Sequence, residues 1–201
     1  MQLIGMLDSP YVRRVAISMR LMAIPFTHRA VSVFRHLAEF QAINPAVKAP
    51  TLILDDGSTL MDSTLILDYL DALYPEHSLM PHALPQRQHS LYLLGLALAA
   101  MEKSVQLVYE QQLRPEEKRH QPWQTRVTAQ LLAAYSLLEQ AMAKQALSID
   151  AMDQAGISIA VAWRFTRELL PNQLNWADFP CLQQWSAQAE ALPVFITTPF
   201  E

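Results

Sequence analysis

The sequence predicts a small α/β domain with the element order βαβαββα, followed by an all-helical domain. Three observations support this fold class. Apolar runs of strand length alternate with helical patterns through the first 75 residues. A segment rich in proline, 76–85, then interrupts the periodicity, and apolar residues recur at spacings of three and four after it. We therefore assign an α/β domain to 1–75, a linker to 76–85 and a helical domain to 86–201.

The composition limits the classes of function. The chain has 201 residues, of which 51% are hydrophobic, and a net charge of −4 without a basic stripe, which argues against nucleic-acid binding. Its longest apolar runs fall short of the roughly 20 residues that span a membrane. No signal peptide is visible, so we expect a cytoplasmic protein without a membrane segment. One cysteine, Cys181, and histidines without paired spacing predict no metal site.

The chain begins with a predicted strand, helix and second strand. Residues 2–7 form an apolar run of strand length. Ser9 and Pro10 then mark a helix start, because serine caps the helix and proline fits its first position. Pro25 ends this helix, and residues 26–33 have the β-branched and apolar pattern of a strand. This order is typical of a right-handed crossover between parallel strands.

The next stretch predicts a helix, a hairpin and another helix. Residues 35–43 are weakly helical. Pro50 belongs at the start of a strand, because it has no N–H for the sheet. Asp56 and Gly57 predict a tight turn to a second strand, after which Ser63 has the chemistry of a helix cap. The strand end and the helix N-terminus lie side by side, and such a place suits a small anionic ligand.

The second domain reads as helices throughout. Helical spacing covers 86–113 and 123–146, and a third apolar segment follows cap candidates in 148–153. A short helix is predicted over 182–192. The first helix has a predicted buried face, which consists of Leu91, Leu94, Leu98, Met101, Val105 and Val108.

Four motifs lie in order along the chain. Residues 9–15 have the pattern Ser-Pro-aromatic-x-Arg-basic-aliphatic. Residues 44–52 resemble Asn-Pro-x-Gly-Lys-Val-Pro-x-Leu, and 62–70 resemble Glu-Ser-x-x-Ile-x-x-Tyr-Leu. Residues 180–185 have the pattern Pro-x-Leu-x-x-Trp. Together the four motifs resemble those of bacterial, serine-type members of the glutathione transferase family. The resemblance implies a thioredoxin-like first domain followed by the helical domain of this family.

The resemblance also implies an activity and a set of partners. It implies a homodimeric enzyme that adds the thiolate of glutathione, its co-substrate, to a small apolar electrophile. The implied glutathione-binding residues are Ser9, Lys48, Ala49, Pro50, Asp62 and Ser63. The catalytic residue among them is Ser9, whose hydroxyl would donate to the sulfur and favour its ionised form. The implied pocket for the electrophile is lined by Tyr11, Tyr109 and Trp163.

Each part of glutathione has an implied partner. Pro50 is expected to be cis, with the backbone of Ala49 paired to the cysteinyl part. The Asp62 carboxylate suits the ammonium group of the γ-glutamyl end. Ser63 and the helix amides suit its α-carboxylate, and Lys48 suits the glycyl carboxylate.

The residue types also have structural interpretations. Ser9 and Ser63 are ordinary helix caps in this interpretation, and Asp62 is a first-turn acid that complements the helix dipole. Lys48 is a solvated side chain, and the pocket aromatics belong to the core. These alternatives remain open at the level of sequence.

Two residues depart from the pattern of the family. Val47 replaces a glycine, which removes easy access to positive backbone angles. Asp8 precedes Ser9, and a carboxylate facing the bound thiol would oppose its ionisation. These departures favour one alternative, a non-catalytic interaction module of the same fold. A second alternative is a glutathione-dependent isomerase or peroxidase, which would use the same peptide site and differ only in what the thiolate attacks.

Overall fold

The computed structural model describes residues 1–201. The chain folds into two compact units. The first unit contains Met1–Pro81 together with Leu192–Glu201, and the second contains His82–Ala191. The C-terminal residues Leu192–Glu201 thus group with the α/β unit, whereas the sequence placed them with the helices.

The first unit has the predicted βαβαββα order, which confirms the fold class. Its elements are β1 (Gln2–Ile4), α1 (Pro10–Leu21), β2 (Thr27–Arg29), α2 (Leu37–Ile43), β3 (Thr51–Ile53), β4 (Thr59–Met61) and α3 (Ser63–Leu73). The strands that sequence predicted over 2–7 and 26–33 are shorter in the structure. Apolar runs mark buried chain, whereas a strand ends where backbone pairing ends.

The four strands form one mixed sheet in the order β2-β1-β3-β4. Strand β1 is parallel to β2, as the crossover predicts, and antiparallel to β3. Leu3 and Leu52 are partners in this register, and both belong to the core that α1 and α3 cover. Ile4 points to the opposite face, where it packs with Phe40 of α2. The sheet is therefore covered by helices on both faces.

The C-terminal residues join the first unit through α1. The short helix α8 (Pro193–Ile196) packs on α1. Arg13 donates from Nε to the carbonyl oxygen of Thr198 at 2.8 Å, and its guanidinium lies 5.6 Å from the ring centroid of Phe195. Phe195 is fully buried. The sequence predicted a helix over 182–192 and none after it, so α8 was missed. A helix of four residues is too short to show a period.

The second unit is helical. It contains α4 (Leu84–Gln112), α5 (Gln121–Lys144), α6 (Gln154–Leu169) and α7 (Pro180–Glu190). Helix α6 is buried along most of its length and packs against α4 and α7. Its N-cap is Asp153, which accepts from the N–H of Gly156 at 2.8 Å. The helix that the sequence predicted after the cap candidates in 148–153 is confirmed.

The buried face of α4 differs in part from the predicted one. Leu91 is 50% exposed, so its assignment to the core was wrong, while Leu93 and Ala97 are fully buried. Small residues let neighbouring helices approach closely, and a pattern of large apolar residues misses them. Helix α4 is long and apolar enough to cross a membrane, as core helices of soluble proteins also are, and 44% of its most apolar 18-residue stretch is buried. The expectation of no membrane segment stays a prediction.

Candidate functional site

The sheet register brings the predicted site segments to one edge of the sheet. Ile4 pairs with Thr51, and Thr51 pairs with Met61. The chain continues from Ile4 towards Ser9, Pro50 immediately precedes Thr51, and Asp62 immediately follows Met61. The three segments that the sequence singled out therefore start from adjacent positions.

Ser9 is the N-cap of α1. Its Oγ accepts from the N–H of Val12 at 3.5 Å, which is long for a hydrogen bond, and the residue is half-buried. Pro10 occupies the first helical position. A hydroxyl that accepts at its oxygen keeps its hydrogen for another partner. The capping role and a role as donor to a ligand are therefore compatible.

Gly5 permits a close approach that the sequence alone did not reveal. Its φ is +137°, and a Cβ at this position would lie 2.6 Å from Cγ2 of Val12 and 3.4 Å from Cβ of Ala49. A side chain would therefore separate the first turn of α1 from the loop that carries Ala49. A glycine directly after a strand was the available signal.

Two buried polar side chains fix the loop before β3. Asn44 donates from Nδ2 to Oγ1 of Thr51 at 2.8 Å, and the Thr51 hydroxyl donates to the carbonyl oxygen of Lys48 at 2.7 Å. The peptide bond between Ala49 and Pro50 is cis, as the resemblance implies. Buried hydrogen bonds of this kind hold a backbone in one conformation. The sequence marked Asn44 only as part of a motif and did not mark Thr51.

Val47 adopts the backbone conformation that a glycine would favour. Its φ is +50°, in the left-handed region, which is a rare conformation for a β-branched residue. The side chain is half-buried against the cluster that contains Ile4, Val31 and Phe40. The valine therefore does not prevent a positive angle, as the sequence suggested, but occupies it under strain.

The N-cap of α3 is Asp62 and not Ser63. The Oδ1 atom of Asp62 accepts from the N–H of Thr64 at 2.9 Å, and the φ of Asp62 is +71°. Ser63 is the first residue of the helix and is 2% exposed. The sequence assigned the cap to Ser63. Serine and aspartate are both good N-caps, so residue type alone could not decide between these adjacent positions. Nζ of Lys48 lies 3.9 Å from Oδ2 of Asp62, an exposed ion pair that links the loop to α3.

Arg14 is a buried residue of this site that sequence reasoning missed. It donates from Nη1 to Oγ of Ser63 at 3.1 Å and to Oγ1 of Thr64 at 3.3 Å. Burial lowers the pKa of Arg14 to about 10, and the negative charge of Asp62 opposes this shift. The guanidinium therefore remains cationic at neutral pH. An arginine on a helix is usually interpreted as a surface charge.

Comparisons with known proteins agree with this geometry. The family model described as "Glutathione S-transferase, N-terminal domain" matches residues 3–78, which contain the whole site at the sheet edge. A crystal structure of a glutathione transferase family member from Pseudomonas fluorescens Pf-5, with bound glutathione, is 31% identical. It superposes with a TM-score of 0.85 over 98% of this chain and 97% of that chain. The chain belongs to the glutathione transferase family.

Relatives within the glutathione transferase family differ in their named activities. "Probable maleylacetoacetate isomerase 2" of Drosophila melanogaster is 28% identical over 120 residues, which are 56% of this chain and 52% of that protein. "Glutathione S-transferase U6" of Arabidopsis thaliana is 24% identical over 121 residues, 55% of this chain and 54% of that protein. The chain spans about half the length of these two relatives. Membership of the glutathione transferase family therefore leaves the reaction open.

Asp8 is half-buried beside the N-cap of α1 in this transferase fold. Burial raises the pKa of its carboxyl group, while Arg35 and the N–H of Ser9 act in the opposite direction. Both of these groups stabilise the carboxylate. The negative charge that the sequence set against thiol ionisation is therefore partly compensated within the first unit.

The aromatic residues assigned to an electrophile pocket have different environments. Tyr11 is half-buried on α1 of the first unit, and Tyr109 of α4 is 45% exposed. Trp163 is 2% exposed and packs edge-on against Tyr135 and Trp176, with ring centroids 5.4 and 5.2 Å away. This placement matches the core interpretation of Trp163. The pocket role of Tyr11 and Tyr109 stays a prediction.

Proposed function

We propose that this glutathione transferase family member binds glutathione in its first unit and adds the thiolate to a small electrophile. The observation that carries the proposal is the meeting of three segments at one sheet edge. They are the α1 N-terminus with Ser9, the cis bond before Pro50, and the α3 N-terminus with Asp62. Two helix N-termini next to a loop with fixed backbone suit a peptide that carries an anion.

The γ-glutamyl end of glutathione binds at the start of α3. Oδ1 of Asp62 accepts from Thr64, and a carboxylate has further lone pairs with which to bind the ligand's ammonium group. Ser63 and the first amides of α3 bind the α-carboxylate, where the helix dipole favours negative charge. This division places each charge of the ligand beside its complement.

The middle of the peptide pairs with the loop before β3. The backbone of Ala49 exchanges hydrogen bonds with the cysteinyl part of glutathione, which binds as an added strand would. The hydrogen bond between Asn44 and Thr51 holds this loop rigid. The Lys48 side chain is more than half exposed, and we propose that it leaves its ion pair with Asp62 to bind the glycyl carboxylate. Preformed loops lower the entropy cost of binding, which supports a role for Asn44 in affinity.

The sulfur lies at the start of α1 in this proposal. A free cysteine thiol has a pKa of about 8.5, so only a few per cent is ionised at neutral pH. The hydroxyl of Ser9 and the N-terminus of α1 stabilise the thiolate, which is the nucleophile. Tyr11, in the first turn of the same helix, is proposed to border the place where a small apolar electrophile binds.

We also propose that the protein acts as a homodimer in the cytoplasm. Helix α3 presents an exposed apolar stripe at a spacing of four residues, formed by Leu65, Tyr69 and Leu73, which are 62%, 38% and 44% exposed. Met61, 43% exposed, precedes this stripe. A contiguous apolar surface of this kind typically marks an interface.

A second candidate reaction is the glutathione-dependent isomerisation of an electrophile. The match to the probable maleylacetoacetate isomerase of Drosophila supports it. The thiolate would add to a double bond, allow rotation, and leave again, so glutathione would be regenerated. The same Ser9 site serves both reactions. Recovery of free glutathione after turnover supports the isomerase, and its consumption supports the transferase.

The test combines calorimetric titration with kinetics. We expect wild-type protein to bind glutathione, and Ser9→Ala to lower the turnover number about 10- to 100-fold with little change in the dissociation constant, because the hydroxyl acts on the ionised sulfur. Ser58→Ala is the matched control, since Ser58 is an exposed hairpin residue in the same unit. Undiminished turnover in Ser9→Ala excludes Ser9 from the mechanism. An absence of binding heat at millimolar glutathione favours the non-catalytic module.

A further inference from the structure

The carbonyl group of Gly5 lies where β1 leaves the sheet. Gly5 donates its N–H to the carbonyl oxygen of Arg29 at 3.1 Å, which continues the parallel pairing of β1 with β2 by one residue. In a longer parallel ladder the Gly5 carbonyl would accept from the N–H of Val31. That N–H donates instead to the carbonyl oxygen of Arg29 at 2.9 Å. The Gly5 carbonyl therefore lacks the backbone partner that the ladder would supply.

The side chain of His28 supplies a donor in its place. Its Nε2 atom lies 2.7 Å from the carbonyl oxygen of Gly5. A carbonyl oxygen only accepts, so Nε2 carries a hydrogen, and Nδ1 of the neutral ring is then an acceptor. His28 lies on β2 and is half-buried. A hydrogen bond in such a place holds the peptide between Gly5 and Met6 in one orientation.

This peptide leads directly to the start of α1. Ser9 donates its N–H to the carbonyl oxygen of Met6 at 3.2 Å, which closes the turn before the helix. Gly5 is packed between Val12 and Ala49, since a Cβ on Gly5 would lie 2.6 and 3.4 Å from their side chains. A rotation of the peptide after Gly5 would therefore shift Ser9 relative to Ala49. These two residues are proposed to bind the sulfur and the cysteinyl backbone of glutathione.

We propose that His28 is a positioning residue of the reaction, which holds the Gly5 carbonyl and thereby fixes Ser9 relative to Ala49. This inference rests on the proposed function, because glutathione is the ligand whose sulfur Ser9 stabilises. His28 acts through the turn and has no assigned contact with the ligand. Its effect is therefore expected on the ionisation of the bound thiol, while the two charged ends of glutathione keep their partners.

The experiment compares three substitutions of His28. His28→Gln keeps a nitrogen donor at the same number of bonds from Cβ as Nε2, whereas His28→Asn places its amide nitrogen one bond closer to the backbone. His28→Phe keeps a flat ring and removes the donor. All three remove the titratable imidazole, so they do not differ in charge, and Asp8 beside Ser9 is unchanged.

The ultraviolet absorbance of the thiolate gives the pH at which the thiol of bound glutathione ionises. We expect His28→Asn and His28→Phe to raise this ionisation midpoint by about one pH unit, because displacement of the Ser9 hydroxyl weakens the thiolate about tenfold against the thiol. His28→Gln should raise it by about 0.3 pH units or less. The dissociation constant of glutathione, measured by calorimetry below these midpoints, should change about twofold or less in all three variants.

Two controls separate positioning from general stability. Ile24→Ala removes a buried side chain just after the C-terminal end of α1, so it should lower the midpoint of thermal unfolding and leave the ionisation of the bound thiol unchanged. In a Ser9→Ala background, His28→Asn should have little further effect on that ionisation, because the hydroxyl that it displaces is gone. A His28 that only stabilises the fold would give equal ionisation midpoints in all three variants.

The outcomes distinguish this inference from the proposed function. Equal ionisation midpoints in the three variants overturn the inference while the proposed function stands. If His28→Asn does not fold, the difference between His28→Phe and His28→Gln decides the question. Nitrogen chemical shifts of the His28 ring test the wild-type protein directly, since a hydrogen on Nδ1 and none on Nε2 overturns the inference. If wild-type protein does not bind glutathione, the proposed function fails and the inference fails with it.

Discussion

Val47 holds a strained backbone that a substitution can relieve. Its φ of +50° costs an L-residue about 1–2 kcal/mol in the left-handed region, and glycine is free of this cost. Both Val47→Gly and Val47→Ala remove the half-buried methyl groups, so their difference isolates the backbone. Glycine loses about 0.5–1 kcal/mol relative to alanine through the freedom of its unfolded chain. Subtracting the second cost from the first leaves Val47→Gly more stable than Val47→Ala by about 0.5–1 kcal/mol.

Urea or thermal unfolding measures this difference. A change of about 1 kcal/mol shifts the midpoint by roughly 2–4 °C in a protein of this size. Val33 is the matched control, because it packs on the same cluster and does not have a positive φ. There the order must reverse, with Val33→Ala more stable than Val33→Gly by about 0.5–1 kcal/mol. If Val47→Ala is as stable as Val47→Gly, the strain argument is refuted.

Two further predictions concern charge and assembly. Burial raises the pKa of Asp8, so its carboxylate destabilises the folded state at neutral pH; Asp8→Asn should raise the unfolding midpoint at pH 7, and the gain should vanish as the pH falls below the ordinary value of 3.8, where both forms are neutral. An unchanged midpoint at pH 7 would contradict this sign. Leu65→Lys should convert the proposed dimer to monomers in sedimentation experiments, while Leu21→Lys, at the exposed end of α1, should not. A dimer that persists in Leu65→Lys would exclude α3 from the interface.

The order of elements could be predicted from sequence because each type has its own period. Ser9 with Pro10 correctly marked the start of a helix, and Asp56 with Gly57 correctly marked a turn between strands. These signals are reliable because their chemistry acts within a few residues. The strand ends were less accurate, because pairing depends on partners elsewhere in the chain. Leu91 on α4 was assigned to the wrong face for the same reason: burial depends on which neighbours pack there.

The residues of the candidate site that lie at helix starts could be predicted from the sequence. Those that act through contacts with another segment could be predicted only in part. Asp62 and Ser63 were selected by their cap chemistry, although their roles at the helix start were exchanged. Gly5 and Thr51 were missed, because their function lies in an approach or a hydrogen bond to another segment. A pattern within one segment contains no information about such a partner.

Helix α1 shows how much of the site depends on long-range contacts. Arg13 and Arg14 are consecutive, equally charged and equally buried, so residue type gives them the same expected role. Successive residues on an α-helix point about 100° apart, and the two side chains therefore reach different neighbours. One binds the backbone of Thr198, and the other binds Ser63 on α3. These bonds hold α1 from two sides and so determine where its first residue, next to Ser9, can lie relative to the start of α3.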